Sequence, residues 1–260
     1  EAAKYCKRNG VRFIIDIQDL WPEAFRMVFK IPIVSDVIFA PLKYRADEIY
    51  KRADAVCGVS ETYVERGLSV NRKCRTGITV FLGTNISTFD AYAKEYPVLI
   101  KQNDEVWLAY CGTLGSSYDL TCIIDALSIL TQRGIKIKLV VMDSGERKDE
   151  FEKYAKDKKI DHIFTGKLPY DQMRALLFSC DITVNLIAHN AVQSIINKHG
   201  DYASKGLPVV STQENDEPRA LVEKYQMRFN CKNGDVKDLA DKLEILALDK
   251  ELRQRMGNYA

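Results

Sequence analysis

Long apolar runs are missing from this 260-residue sequence. None approaches the roughly 20 residues that span a bilayer, and no leader pattern opens the chain. Net charge is nearly absent: 38 Lys and Arg against 36 Asp and Glu leave +2, too little to hold nucleic acid by bulk electrostatics. Histidine is scarce, at three residues. No D-x-D pair, H-E-x-x-H motif or grouped Cys/His set occurs, so neither a protein-held metal nor a resident cofactor is expected. The seven cysteines are scattered singly, mostly in apolar runs such as AVCGV and LAYCG. They read as reduced core thiols rather than a disulfide framework, which sets the expected location in the cytoplasm. The elbow G-x-S-x-G, the fingerprint G-x-G-x-x-G and the P-loop are all lacking, so a serine hydrolase, a dehydrogenase and an ATPase lose support.

What is present is alternation. Apolar runs of strand length fall at 11–17, 55–60, 78–82, 106–112, 136–143, 162–166, 182–187, 208–212 and 227–230. Helical patterns lie at 40–52, 61–69, 118–133, 146–158, 170–179, 195–205, 216–225 and 235–248. The strands are near-continuously hydrophobic, as strands buried on both faces of a parallel sheet are. The expected class is α/β, with two Rossmann-like domains of parallel sheets. Residues 1–90 form the end of a first domain, 91–104 a linker, and 105–260 a complete second domain. The first domain has only about three strands, too few to bury both faces. The chain also opens without methionine in a helical pattern already under way, so further sequence upstream is expected.

The stretch 194–212, SIINKHGDYASKGLPVVST, carries the most chemistry. Lys198 and Asp201 are three apart near a helix start, with Gly206 as the stop. A helix N-terminus favours anions, and an added ammonium suits a diphosphate, while a carboxylate can accept from sugar hydroxyls. Ligands in open α/β sheets sit beyond the carboxyl ends of strands. Four turns fall there. YCGTLGSSYDL offers Gly112, Thr113 and Gly115, and VVMDSGERKDE offers Ser144, unless Ser144 or Asp143 caps the next helix. FTGKLPYDQM offers Lys167, with Tyr170 or Asp171 as helix cap, and AHNAVQSIIN offers Gln193, Ser194 and Asn197. In the first domain, FIIDI runs into QDLWPEAF. Asp19 there could act as a base or orient a hydroxyl beside Trp21 and Glu23. The competing reading has Asp19 or Glu23 capping a helix with Trp21 packed inside. The apolar, cation-studded AFRMVFKIPIVSDVIFAPLK is either a helical hairpin or a surface for peripheral contact with the inner face of the cytoplasmic membrane.

Six pieces in order, DLWPE at 19–23, ADAVCGVSE at 53–61, FLGTNISTF at 81–89, YCGTLG at 110–115, FTGKLPYDQM at 164–173 and NKHGDYASKGLPVVST at 197–212, resemble the family-4 glycosyltransferases of GT-B fold, in the bacterial surface-polysaccharide branch. The resemblance implies two Rossmann-like domains facing across a cleft. It implies retaining, metal-independent transfer from a nucleotide-diphospho-sugar to a carbohydrate or lipid-linked acceptor. By position, Lys198 neutralises the diphosphate and Asp201 stands for the glutamate that binds the ribose. The turn Gly112–Gly115 approaches the phosphates, Lys167 and Leu168 line the base, and Asp19 is on the acceptor side. Gln193 replaces the first of the family's two glutamates, Asp201 is shorter than the second, and Gln18 stands where many relatives have histidine. Two alternatives remain open: a nucleotide-sugar 2-epimerase of the same fold, and a degenerate nucleotide-sugar-binding subunit.

Overall fold

Every residue from Val106 to Cys111 is buried, because the strand is apolar on both faces and successive side chains alternate. Leu108 and Tyr110 join Ile123, Leu127, Leu239 and Leu243 on one face. Trp107, Ala109 and Cys111 join Leu176, Leu177, Tyr202 and Leu207 on the other. This two-sided core belongs to the larger of two compact units in the computed structural model, which holds Gly83–Ala191 and Ile196–Ala260; the smaller holds Glu1–Leu82. The structure describes residues 1–23, 32–86, 101–102, 104–115, 118–187, 198–213, 220 and 228–258.

The smaller unit runs α1 (Ala2–Asn9), β1 (Ile14–Ile17), α2 (Pro32–Tyr50), β2 (Ala55–Gly58), α3 (Glu61–Leu68) and β3 (Gly77–Thr79). Its three strands are parallel in the order β1-β2-β3. The apolar runs suggest strands buried on both faces, while three strands are expected to be too few to bury both; the second expectation describes this unit. Ile15, Ile17, Val56 and Val64 form one cluster, while Ile14 and Ile78 on the opposite side are 63% and 68% exposed. Among the described residues only one face is covered. The expected strand 78–82 is also shorter, ending at Thr79. The helix expected from 40 is described from Pro32 and carries Pro41 inside it; residues 24–31, the other half of the expected hairpin, lie outside the described residues. Among the described residues no helix is long and apolar enough to cross a membrane.

The larger unit continues with β4 (Val106–Cys111), α4 (Leu120–Gln132), β5 (Ile137–Met142), α5 (Lys148–Asp157), β6 (His162–Phe164), α6 (Tyr170–Leu177), β7 (Ile182–Asn185), α7 (Lys198–Lys205), β8 (Val209–Ser211), β9 (Arg228–Asn230), α8 (Val236–Leu248) and α9 (Lys250–Asn258). The sheet is parallel throughout, in the order β6-β5-β4-β7-β8-β9. Numbered within the unit this is 3-2-1-4-5-6, the doubly wound order whose switch point lies between its first and fourth strands. That places the crevice at the carboxyl ends of β4 and β7. The helix expected at 216–225 lies outside the described residues, as do residues 91–100 of the expected linker. The larger unit already includes Thr84, whose Oγ1 donates to Asp201 Oδ1 at 3.0 Å.

Candidate active site at the switch point

β4 and β7 pair only at Leu108↔Ile182 and Ala109↔Thr183, although β4 runs on to Cys111 and β7 to Asn185. Where the ladder stops, the Tyr202 hydroxyl takes over. It accepts the Cys111 N–H at 3.0 Å and lies 3.5 Å from the Cys111 and Val184 carbonyls. Tyr202 is fully buried and sits one turn after Lys198, on the same side of α7. Its hydroxyl fixes α7 against the opening of the crevice. Tyr202→Phe should leave a buried N–H unsatisfied and cost about 1–3 kcal/mol. Thermal denaturation checks this, and an unchanged midpoint would count against the role.

Past β4 the chain turns at Gly112, whose φ of +141° disfavours side chains. The Gly112 N–H donates to Met142 O at 3.1 Å. Leu114 is fully buried; its N–H donates to Ser144 O and its carbonyl accepts from Arg147 N, both at 3.1 Å. A Cβ on Gly145 would fall 2.3 Å from Leu114 O. The first two rim turns are therefore interlocked. Neither Ser144 nor Asp143 caps a helix: α5 starts later, after Arg147, which makes no side-chain cap. The Asp143 carboxylate instead accepts from the Ser144 N–H at 2.7 Å. Likewise the N-cap of α6 is Pro169, not Tyr170 or Asp171.

Lys198 opens α7, and its side chain is buried at this turn. Its Nζ would lie 3.0 Å from a Cβ on Gly112, a tight contact that the glycine spares it. The ammonium stands 4.5 Å from the centroid of the Tyr110 ring and 4.2 Å from that of Tyr118. It is buried without a hydrogen-bond partner among the described residues. Burial penalises its charged form and lowers its pKa to about 7; the nearby Cys111 and Asp143 oppose that fall. Cys111 is itself pushed up to about 12 by burial, so near neutrality it is a neutral thiol. An ammonium out of water with no described partner is costly, and an anion at this turn would supply one. A second orphan lies at the end of β7: Asn185 Oδ1 is buried with no described partner, while its amide nitrogen lies 3.3 Å from Ser211 Oγ.

Asp201 points elsewhere. Its Oδ1 accepts from Thr84 and, in a short contact, from the Tyr170 hydroxyl. Tyr170 is a donor there, since burial first and the Asp201 carboxylate next push its pKa up to about 12. Thr113 and Lys167 are exposed, Gly115 has open space around it, and Leu168 is half-buried against the core. Gln193, Ser194 and Asn197 lie outside the described residues. In the smaller unit Asp19 is exposed, and Trp21 is 56% exposed rather than packed inside. Glu23 accepts from Arg66 Nε at 2.5 Å, and Arg66 also bridges to Asp47 at 2.6 Å.

Tyr110, Tyr118, Tyr202, Thr84 and Asn185 were not singled out from sequence, and Tyr170 reads there only as a helix cap. Tyr202 had a usable signal, being four residues after Lys198 on one helix. Tyr118 lay inside the turn already chosen for its glycines. The seven cysteines are free thiols, and among the described residues no group of three or more His, Cys, Asp or Glu could hold a metal ion.

Comparisons with known proteins meet this geometry. The family profile described as glycosyl transferases group 1 matches residues 93–260. No curated protein sequence matches the chain. Among solved structures, Anabaena HepE in complex with UDP is similar at TM-score 0.74 and 16% identity, covering 99% of this chain and 68% of that one. WaaG, a glycosyltransferase involved in lipopolysaccharide biosynthesis, is similar at 0.68 and 12%, covering 99% and 75%. An S. aureus TarM variant, in complex with fondaparinux, alpha-GlcNAc-glycerol and UDP, is similar at 0.58 and 15%, covering 83% of this chain; the chain spans only 41% of its length. At these identities the structures speak for the fold alone, which is GT-B. With its profile match covering well over half the sequence, the chain belongs to the glycosyl transferases group 1 family.

Proposed function

We propose that the chain transfers a sugar, with retention, from a nucleotide-diphospho-sugar to a carbohydrate or lipid-linked acceptor in cell-surface polysaccharide synthesis in the cytoplasm. The observation that carries this reading is the Lys198 ammonium, buried with no hydrogen-bond partner among the described residues beside the Gly112 turn. As the anomeric bond loosens toward an oxocarbenium-like state, negative charge grows on the departing diphosphate. The Lys198 ammonium, buried at this turn, meets that charge in a site shielded from water. The open space at Gly115 gives phosphate oxygens room to approach this turn. Asp201 with Tyr170 and Thr84 offers hydroxyl-bonding groups on the ribose side, and Asp19 with Trp21 serves the acceptor. Lys198 provides the cationic charge, so no metal is assigned a step.

A thermal-shift screen tests this. A nucleotide-sugar present at 100 times its dissociation constant stabilises the fold by about 2.7 kcal/mol, worth roughly 5–10 °C for a unit of this size. UDP-sugars head the panel because Anabaena HepE was crystallised with UDP. If no nucleotide-sugar raises the midpoint, the proposal is lost. Binding without any transfer to carbohydrate or lipid-linked acceptors would favour a non-catalytic binding subunit.

A further inference from the structure

The two tyrosine rings around Lys198 do something that the donor-site reading does not require. A buried ammonium is ordinarily held by a carboxylate or by carbonyl oxygens. This one is held by two aromatic faces, 4.5 Å and 4.2 Å from their centroids, and by no described hydrogen bond. The two rings meet edge to face at 5.9 Å and 72°. Tyr110 is anchored by its hydroxyl, which donates to Thr113 O at 3.2 Å. Tyr118 precedes Asp119, the N-cap of α4, whose carboxylate accepts from Thr121 N at 3.1 Å. Tyr118 packs against the same core cluster that holds Tyr110, so both rings belong to elements other than α7.

We propose that Tyr110 and Tyr118 are positioning residues for Lys198: their ring faces clamp the ammonium beside Gly112 and leave its three N–H donors to the oxygens of an anionic donor. A ring quadrupole attracts a cation without consuming a donor. A carboxylate in the same place would occupy those donors and repel a diphosphate. The clamp therefore holds a charge that is both oriented and unspent. The groups facing the ammonium are consistent with this. Cys111 of β4 is a neutral thiol near pH 7 and Asp143 acts on the ammonium from the turn after β5, while Asp201 on α7 is turned away to Tyr170 and Thr84. The inference rests on the donor-site reading above and adds how the site keeps its cation available.

The test compares Tyr118→Leu, which keeps apolar bulk and removes the ring face, with Tyr118→Phe, which keeps the face. Binding of UDP-glucose, GDP-mannose and dTDP-glucose is measured by calorimetry on the full chain from pH 6 to 9. A desolvated cation–π contact of about 2 kcal/mol predicts roughly 30-fold weaker binding for Tyr118→Leu and less than about twofold change for Tyr118→Phe. Its loss should also move the midpoint of the pH profile down by about 1.5 units, because the contact favours the charged lysine. A merely structural ring would lower the denaturation midpoint without moving the pH profile. Unchanged affinity in Tyr118→Leu, with Lys198→Met still impaired, overturns the clamp and leaves the donor site standing. Unchanged affinity in Lys198→Met, or no binding of any of the three, overturns the donor site and the clamp with it. If Tyr118→Leu fails to fold, equal losses of affinity in Tyr118→Phe and Tyr110→Phe overturn the clamp, since both retain the ring faces.

Discussion

Lys198→Met is expected to abolish sugar transfer while making the folded protein more stable. The two effects share one cause. The native site takes the ammonium out of water and gives it no hydrogen-bond partner among the described residues, and burial lowers its pKa from 10.5 to about 7. At roughly 1.4 kcal/mol per unit, that shift corresponds to a penalty of at most about 5 kcal/mol. Methionine has similar length, carries no charge, and its sulfur packs well against aromatic rings such as Tyr110 and Tyr118. It should recover a few kcal/mol of that penalty. The sign with pH follows. The folded pKa lies below the unfolded one, so between pH 7 and 10.5 the unfolded chain binds more protons and wild-type stability rises with pH. The advantage of methionine is therefore full below pH 7 and shrinks toward pH 10.5. Activity goes the other way. Removing one preorganised group aimed at developing negative charge costs about 10²–10³-fold in turnover. Thermal denaturation at pH 6.5 and 9.5, paired with initial rates, checks both halves. A variant less stable than wild type at pH 6.5, or one that keeps its rate, would sink the assignment.

The fold was legible because its signal is large. The buried strands of the larger unit are apolar runs with no competing pattern, and each of them lies within one or two residues of its expected place. The strands of the smaller unit looked the same in sequence, yet Ile14 and Ile78 are exposed. An apolar residue states what it would gain by burial, not whether a neighbour arrives to bury it. Helix starts were less legible. Ser144 is a good N-cap type, but its carbonyl is taken by Leu114 and its N–H by Asp143, so the tertiary contact between two turns outweighed local capping. In the site, Lys198 could be found from its place at a helix start. Tyr118 could not, because its role depends on where a lysine 80 residues later puts its ammonium. Asp201 shows the same limit: its spacing from Lys198 placed both on one helix turn, but Thr84 and Tyr170 decide where its carboxylate goes.

Donor binding should weaken about 100-fold between pH 6 and pH 9. Without ligand Lys198 loses its proton near pH 7. A diphosphodiester keeps its charge through this range and favours the protonated lysine, so binding draws a proton in from solution. Above the free-state pKa each unit of pH then weakens apparent binding about tenfold, and below it the affinity levels off. The other titrating groups at the site do not give this profile. Cys111 and Tyr170 both titrate near 12, outside the window. Histidines titrate within it, and His199 lies against Asn185 at 3.4 Å, so His199→Gln is the control that should keep the slope. Lys198→Arg is the complementary one: a guanidinium stays charged throughout, so its binding should be flat with pH whatever its absolute strength. Calorimetry in two buffers of different ionisation enthalpy counts the proton directly, with uptake approaching one per donor bound at pH 8. Equal affinity at pH 6 and 9, with no proton taken up, would show that the buried ammonium is not what receives the diphosphate.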